Sequence, residues 1–404
     1  MPLYFLITKI DFDLTHMPRL SALFSFFYRY FILVLLGILM GCQEKVEYTY
    51  ITGEGRCANG KQDPDEFGVD CGGACSRACE NLRYLEGEIF GRIYLETRYD
   101  YVLTGPLIVR DQASLEFPAG THLKVQAGVG AYIAVVQGGS IFSWGTPDRP
   151  VTISSNAPEP SAGDWGGIIL CGQAPLESAE RKFTPIGNYY YGGNNPNDGS
   201  GALRYLKIEH AGASYNEQFN FSALSLYGTG RLTPLHHVWV DNVLHEGIEI
   251  TGGNIDLENL VVTRAQQNAL SITSNWGGQA DHIFLHQSGR NGIHVQDPAL
   301  ASTISSSFTL SKISILDASA AAIGISSQLL SANFDRFLLS NTPLGFDFSA
   351  SFSETLSFRW DNISLQNVST VSNDFAFNTQ FDGQAGLPFE NANQLPAWLN
   401  NWDN

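Results

Sequence analysis

The sequence contains few of the features that favour long helices or nucleic-acid binding. Only 3 of its 404 residues are methionine, and 23 lysines and arginines face 40 aspartates and glutamates, so the formal net charge is −17. Nucleic-acid binding needs clustered Lys and Arg that replace counterions, and this composition excludes it. From residue 82 onward no segment combines helix caps with apolar residues at 3.6-residue spacing. The 40 glycines indicate frequent turns.

A short apolar run lies near the N-terminus. Residues 24–40 read FSFFYRYFILVLLGILM, Arg19 precedes them, and Met17 is a second candidate start. A basic flank before a short apolar stretch is typical of a secretory signal peptide. The alternative is an uncleaved membrane anchor, although the run is shorter than the roughly 20 residues that span a bilayer. We therefore predict a signal peptide over residues 1–41.

The apolar run ends in Leu39-Met40-Gly41-Cys42, which resembles the lipobox of bacterial lipoproteins. The resemblance implies cleavage before Cys42, lipidation of its thiol and, because Gln43 follows, an outer-membrane location. Acyl chains contribute about 0.8 kcal/mol per buried CH₂, so several chains anchor a protein firmly. Residues 42–56 are polar and are predicted to form a tether. We expect a surface-exposed protein whose partner through Cys42 is membrane lipid.

Four of the six cysteines fall close together in residues 57–81. In an exported chain this clustering favours two disulfides and leaves three connectivities open. Zinc binding is the alternative, because four cysteines can hold that ion. The segment is too short to bury a core, so covalent links must stabilise it. The four residues are Cys57, Cys71, Cys75 and Cys79.

The same segment resembles a Cys-rich motif found near the start of many bacterial surface proteins, with the pattern C-x-N/D-G-x-Q-N/D-x-x-E-x-G-V-D-C-G-G-x-C-x-x-C. The spacing from Cys75 to Cys79 is one residue longer here. Ca²⁺ prefers hard oxygen ligands, and we predict no other cofactor. The spacing of an EF-hand is missing, so a solvated acidic turn is the alternative. The candidate ligands are Asp63, Asp65, Glu66 and Asp70.

The body of the chain, residues 82–389, contains recurrent apolar–any–apolar triplets, the pattern of short β-strands. Successive triplets begin 22 to 30 residues apart, at Val238, Leu260, Ile283 and Ile313. A strand-based repeat of this length indicates a solenoid. We predict an all-β, right-handed parallel β-helix in which these four residues form one buried column.

Two further expectations follow from this register. Glu246, Asn268 and Asn291 occupy equivalent turn positions, where side chains can form hydrogen bonds from coil to coil. Open coil ends would expose unpaired strands. We therefore expect residues 390–404, which include Trp398 and Trp402, to cover the last coil as a C-terminal cap.

Several segments resemble a widespread family of bacterial surface β-helix proteins. The most specific is Gly163-Asp-Trp-Gly-Gly-Ile-Ile-Leu170, and the resemblance covers about residues 82–290. Members usually carry an acidic pair before Gly-x-Glu, whereas this chain has His245-Glu246. The resemblance implies a secreted or surface-exposed solenoid and no settled activity.

Parallel β-helices often bind or cleave polysaccharides. A glycoside hydrolase needs two carboxylates, either about 5 Å or about 6.5–9.5 Å apart. Glu246 and Glu249 are the best pair in the sequence, with Asp241 and His245 near them, but pectinase-type motifs are absent. We therefore predict a non-catalytic surface protein, monomeric, that serves adhesion or binds a glycan or protein partner. A polysaccharide-active hydrolase or lyase is the alternative.

Aromatic side chains are candidate contacts for sugar rings. Trp165 has a second interpretation as a packed corner of a coil, because aromatic rings bury a large area in protein cores as well as at binding surfaces. The candidates are Trp165, Trp276, Tyr189, Tyr190 and Tyr191.

Overall fold

All described residues belong to one compact unit within residues 53–404. The predicted signal peptide, Cys42, the tether and Asp65 lie outside the described residues. The computed structural model describes residues 57, 59, 61–63, 66, 68–75, 77, 79, 81–128, 130–176, 180–273, 275–296, 306–326, 330–348, 357–369, 395–399 and 402.

The described part of the chain is almost entirely β-structure. Its strands before residue 200 are β1 (Leu82–Ile89), β2 (Arg92–Tyr94), β3 (Asp100–Val109), β4 (Ser114–Pro118), β5 (His122–Val125), β6 (Ile133–Val135), β7 (Ser140–Trp144), β8 (Val151–Ser155), β9 (Ile168–Cys171), β10 (Lys182–Phe183) and β11 (Tyr190–Tyr191). The later strands are β12 (Gly201–Glu209), β13 (Leu224–Tyr227), β14 (Leu235–Val243), β15 (Ile248–Thr251), β16 (Leu257–Ala265), β17 (Leu270–Thr273), β18 (Gln279–His286), β19 (Ile293–Gln296), β20 (Ser306–Leu316), β21 (Ala321–Ser326), β22 (Leu330–Ser340), β23 (Leu344–Phe348) and β24 (Ser357–Gln366).

A 3₁₀ turn at Ala397–Leu399 is the helical element within these described ranges. No helix among the described residues is both long enough and apolar enough to cross a bilayer.

The strands form a parallel β-helix with three faces. Twenty-two of the described strands belong to one sheet, and their pairings between coils are parallel. Face A contains β2, β4, β7 and the first half of each long strand from β12 onward. Face B contains β5, β8 and the second half of those long strands, because β12 pairs with both β7 and β8. Face C contains β6, β9 and the short strands β13, β15, β17, β19, β21 and β23. The predicted fold class is confirmed.

The predicted interior column is present on face B. Val238 pairs with Leu260, Leu260 with Ile283, and Ile283 with Ile313. All four side chains are at most 1% exposed. Neighbouring parallel strands lie about 4.8 Å apart, so the apolar groups of successive coils touch and exclude water. The alternation that the sequence predicted turns the intervening side chains outward, where Trp239, Val261 and Phe284 pack with Leu399 and Trp402.

Two columns of left-handed residues bend each long strand at the edges of face B. A positive φ is uncommon outside glycine, and Asn, Asp and His adopt it most readily. Within each coil the two positions are five residues apart. The column between faces A and B contains Tyr205, His237, Asn259, His282, Lys312, Arg336 and Asn362, and the column after face B contains His210, Asn242, Arg264, Gln287, Asp317, Asn341 and Asn367.

The Gly-Asp-Trp-Gly-Gly segment has a structural role in this fold. Trp165 is fully buried, and its indole Nε1 donates a hydrogen bond to the carbonyl oxygen of Glu209 at 2.8 Å. Gly167 has a φ of +137°, and a Cβ there would lie 2.3 Å from the carbonyl oxygen of Ser222. Only glycine fits this close approach of two coils.

The cysteine-rich module contains two disulfides, Cys57–Cys75 and Cys71–Cys79. The prediction of disulfides is thus confirmed, and the pairing that the sequence left open is fixed. The module contacts the solenoid, because Nε2 of Gln62 donates a hydrogen bond to Oδ1 of Asn156 at 3.2 Å.

The described part of the C-terminal tail packs on the outside of face B. Leu399 and Trp402 are buried against Trp239, Phe284 and other outward side chains of the middle coils. The indole Nε1 of Trp402 donates a hydrogen bond to the carbonyl oxygen of Pro147 at 3.1 Å. The tail was expected to cover the end of the solenoid, and these residues instead cover an apolar patch on its side.

Candidate functional site

A groove of about 570 Å³ lies on the outer surface of face B, beside Leu395 of the tail. Five successive long strands contribute one or two outward side chains each to its floor, at positions that alternate with the buried column. The floor residues run from Lys207 and Glu209 in β12 to Leu316 in β20. The groove therefore runs across the coils, along the axis of the solenoid.

A cation and an aromatic ring occupy one end of the groove. Nζ of Lys207 lies 3.0 Å from Oε1 of Glu209 and 4.0 Å from the ring centroid of Trp239. Lys207 and Trp239 are both buried. An ammonium group over an indole face is attracted by the ring quadrupole, which offsets part of the cost of burying the charge.

Asp241 lies in the middle of the groove and accepts hydrogen bonds from two neighbouring side chains. Its Oδ1 accepts hydrogen bonds from Oγ1 of Thr263 at 2.6 Å and from Nε of Arg264 at 2.9 Å. Nε1 of Trp239 donates to Oγ1 of Thr263 at 2.8 Å. Asp241 is buried, whereas the Arg264 side chain is 54% exposed. The carboxylate thus fixes the orientation of a guanidinium whose outer edge faces solvent.

The second left-handed column forms the rim of the groove. Arg264, Gln287, Asp317 and Asn341 occupy the same corner position in successive coils, and all four line the groove. Coils repeat at about 4.8 Å, so the rim presents one polar side chain per coil at that spacing. Oδ2 of Asp317 lies 2.9 Å from Nε2 of His286.

Of the groove residues, only Asp241 was among the predicted site residues. Apart from Leu395 in the tail, the others occupy outward strand positions and corner positions, which look like ordinary solvated surface in a sequence. One signal was available: a polar residue recurs four places after the first apolar residue of each triplet, at Arg264, Gln287, Asp317 and Asn341.

A second polar cluster lies on face C. Oε1 and Oε2 of Glu246 accept hydrogen bonds from Nδ2 and the backbone N–H of Asn268, each at 3.1 Å. Oδ1 of Asn268 in turn accepts from Nδ2 of Asn291 at 2.9 Å. The predicted ladder of turn side chains is therefore present. Burial raises the pKa of Glu246 to about 7, and the nearby charge of Glu249 acts in the same direction.

Glu249 is held by hydroxyl groups. Its Oε2 accepts hydrogen bonds from Ser222 at 2.9 Å and from Tyr227 at 3.2 Å. Burial raises the pKa of its carboxyl group. His245 lies apart from it, with Nε2 3.0 Å from Oγ of Ser214. The four predicted catalytic candidates are thus divided: Asp241 faces the groove on face B, whereas the Glu246 and Glu249 carboxylates belong to face C.

A family model described as a pectate-lyase-like β-helix domain matches residues 87–403, which is most of the chain. The chain belongs to this pectate-lyase-like β-helix family. Comparison with curated proteins and with solved structures gives no match. The family supports a parallel β-helix with a surface or polysaccharide-related role. It does not test the narrower resemblance carried by Gly163–Leu170 or the Cys-rich motif, which stay predictions.

The aromatic candidates of this β-helix divide between core and surface. Trp165 and Trp276 are both fully buried, and Nε1 of Trp276 donates to the carbonyl oxygen of Ile255 at 3.0 Å. The prediction that these two rings contact sugar was wrong, because an interior ring has no face open to a ligand.

The three tyrosines lie between β9 and β12, in a segment that packs against the outer side of face C. Tyr191 is buried against Tyr227, and the hydroxyl of Tyr189 lies 2.9 Å from that of Tyr132. Tyr190 is exposed and packs against Phe183, with ring centroids 4.1 Å apart and the rings tilted by 36°. Of these tyrosines, Tyr190 is the exposed one and Tyr189 is half-buried.

The carboxylates of the cysteine-rich module form hydrogen bonds within it. Oε2 of Glu66 accepts from the backbone N–H groups of Asp63 and Asp70, at 3.1 and 3.2 Å. Oδ2 of Asp63 accepts from Nδ2 of Asn59 at 2.8 Å. Glu66 also approaches Cys57 and Cys75, but these sulfurs are joined in a disulfide and are not thiolate ligands. The described carboxylates therefore stabilise a turn, and Ca²⁺ binding stays a prediction.

Proposed function

We propose that this protein is a lipid-anchored surface protein that binds a polysaccharide in the face B groove without cleaving it. The supporting observation is the rim of polar corner residues, Arg264, Gln287, Asp317 and Asn341, repeated once per coil along the groove. A polysaccharide also repeats hydroxyl groups along an extended chain. Guanidinium, amide and carboxylate groups supply the donors and acceptors that hydroxyl groups need.

The engagement of the groove carboxylates favours binding over catalysis. A glycoside hydrolase uses one carboxyl group as an acid and another as a base or nucleophile. Glu209 pairs with Lys207, Asp241 accepts from Arg264, and Asp317 contacts His286. Each of these carboxylates holds a neighbouring side chain in place, as expected for a surface whose side chains are oriented to bind a ligand.

A pair of glycine variants tests the groove. Gln287 and Asn242 share the second left-handed column, with φ of 58° and 52°, so glycine preserves the backbone at both. Only Gln287 lines the groove. A lost neutral hydrogen bond costs about 0.5–1.5 kcal/mol, so Gln287→Gly should weaken polysaccharide binding about 2- to 10-fold in affinity electrophoresis. Asn242→Gly should bind normally, and equal behaviour of the two variants would place the ligand elsewhere.

The membrane anchor is proposed from Cys42. A diacylated cysteine should carry the protein into the detergent phase of a cloud-point separation, and Cys42→Ser should leave it in the aqueous phase. Mass spectrometry of the mature N-terminus identifies the modified residue. A Cys42→Ser protein that still enters the detergent phase would argue for an uncleaved membrane anchor.

A second candidate function is glycoside hydrolysis by Glu246 and Glu249. The observation that favours it is the raised pKa of both carboxyl groups, since perturbed carboxyl groups cluster at catalytic sites. New reducing ends released by the wild type, and lost in both Glu246→Gln and Glu249→Gln, would establish this function. Polysaccharide binding without new reducing ends or unsaturated products supports the binding role.

A further inference from the structure

We infer that the face B groove takes an uncharged polysaccharide and rejects chains that contain uronate. This inference rests on the proposed function and names the class of ligand. The groove contains two permanent cations, Lys207 and Arg264, and three carboxylates, on Glu209, Asp241 and Asp317. These five groups together carry a formal charge of −1.

Both cations are already matched by carboxylates. Lys207 is buried and lies 3.0 Å from Glu209. Arg264 directs Nε and a terminal guanidinium nitrogen toward the two carboxylate oxygens of Asp241. A uronate carboxylate entering the groove would compete with these residues for the same donors. It would also lose its hydration beside a carboxylate of like charge, which is unfavourable.

Asp317 and the whole protein add to this repulsion. The Asp317 side chain is 41% exposed and lies on the groove rim, where each coil presents a polar group to the ligand. The formal net charge of the chain is −17, so the long-range field also slows the approach of a polyanion. Hydroxyl groups carry no such penalty, because each can donate to a carboxylate and accept from the guanidinium or an amide.

The test compares uronate polysaccharides with their own carboxyl-reduced forms, so that backbone and linkage stay the same. Full-length protein in detergent is assayed by affinity electrophoresis on polygalacturonate, glucuronoxylan and oxidised cellulose, each beside its reduced partner, with and without Ca²⁺. We expect at least tenfold stronger retention by one or more reduced forms. Stronger or equal retention by the uronate form, in either condition, would overturn the inference and leave the proposed function standing. Failure to bind any neutral or acidic member would overturn both.

Asp317→Asn and Asp256→Asn separate the groove charge from the overall charge. Both substitutions remove one negative charge from a partly exposed carboxylate, and Asp256 pairs with Arg231 outside the groove. We expect Asp317→Asn to reduce the preference for the neutral form several-fold and Asp256→Asn to leave it unchanged. Increasing salt should also reduce the preference, since exposed charges are screened. Identical effects of the two variants would contradict the assignment to the groove.

Discussion

Asp241 and Arg264 belong to adjacent coils, and the buried carboxylate of Asp241 accepts a hydrogen bond from Nε of Arg264 at 2.9 Å. Hydrogen bonds to charged groups contribute about 1.5–3 kcal/mol, and a buried carboxylate that loses its partner pays for its lost hydration. We therefore expect Arg264→Met to lower the free energy of unfolding by about 2–3 kcal/mol. Urea denaturation followed by circular dichroism measures the change.

Arg231→Met is the matched control for this substitution. Arg231 lies 3.5 Å from Asp256, and both side chains are about half exposed. Exposed ion pairs contribute about 0–1 kcal/mol, so Arg231→Met should change the unfolding free energy little. Similar losses in the two variants would indicate that burial of Asp241 adds nothing to the strength of its pair.

A substitution in the interior column should lower the free energy of unfolding more than a substitution on the exposed face of the same strand. Leu260 is 1% exposed and contacts the coils on both sides through Val238 and Ile283. Leu260→Ala removes buried methyl groups and leaves a cavity, which costs about 2–5 kcal/mol. Glu258→Ala, on the exposed face of β16, should cost less than about 0.5 kcal/mol. The same urea experiment compares them, and a small loss for Leu260→Ala would contradict a tightly packed column.

The sequence predicted this column because its physical cause is local and repetitive. Alternating apolar residues at one spacing per coil can be buried together only if the coils stack. The two left-handed columns were harder to predict. Asn is common there, but Arg264, Lys312 and Arg336 also adopt positive φ, and their side chains give little local preference for it. Stacking with neighbouring coils fixes their conformation.

The groove could not be predicted from the sequence, because it is formed by contacts between residues that are far apart in the chain. Leu395 reaches it from far along the chain, and Trp402 packs near Trp239 across more than a hundred residues. Aromatic residues were equally ambiguous. Trp165 and Tyr190 were predicted as similar ligand contacts, yet one is in the core and the other on the surface. Hydrophobicity alone does not distinguish an aromatic ring in the protein core from one that is exposed to a ligand.

Cys171 should be chemically inert in the folded protein. Its thiol is fully buried, and burial raises its pKa far above the ordinary value, so the reactive thiolate is scarce. We expect no labelling by iodoacetamide at pH 8 under native conditions and stoichiometric labelling in guanidinium chloride. Peptide mapping distinguishes Cys171 from the other cysteines. Rapid native labelling of Cys171 would contradict the packing of β9.

The stability of the folded protein should depend on pH through Glu246. Its folded-state pKa of about 7 exceeds the ordinary value of 4.5. Between these values the folded state binds more protons than the unfolded state, so this contribution to stability is lost as pH rises from about 4.5 to about 7. At about 1.4 kcal/mol per unit, the loss reaches about 3 kcal/mol.

Glu246→Gln removes this titration, so its unfolding free energy should fall less over the same pH range. Urea denaturation at half-unit intervals from pH 4.5 to 8 measures both proteins. Glu249 titrates in the same direction, because burial also raises its pKa, and Glu249→Gln should retain the slope that belongs to Glu246. Parallel curves for wild type and Glu246→Gln would show that Glu246 is an ordinary surface carboxylate.

We expect the contacts of Trp402 to hold the tail against face B. Its ring lies 5.0 Å from that of Trp398 and 6.5 Å from that of Trp239, and it is 6% exposed. Trp402→Ala removes this packing and the hydrogen bond to Pro147, at a cost of about 3 kcal/mol for tail docking. Local opening, and hence the rate of limited proteolysis of the tail, should rise roughly a hundredfold. Leu395→Ala, at a side chain 39% exposed, should change that rate little. Unchanged proteolysis of Trp402→Ala would mean that the tail is held by other contacts.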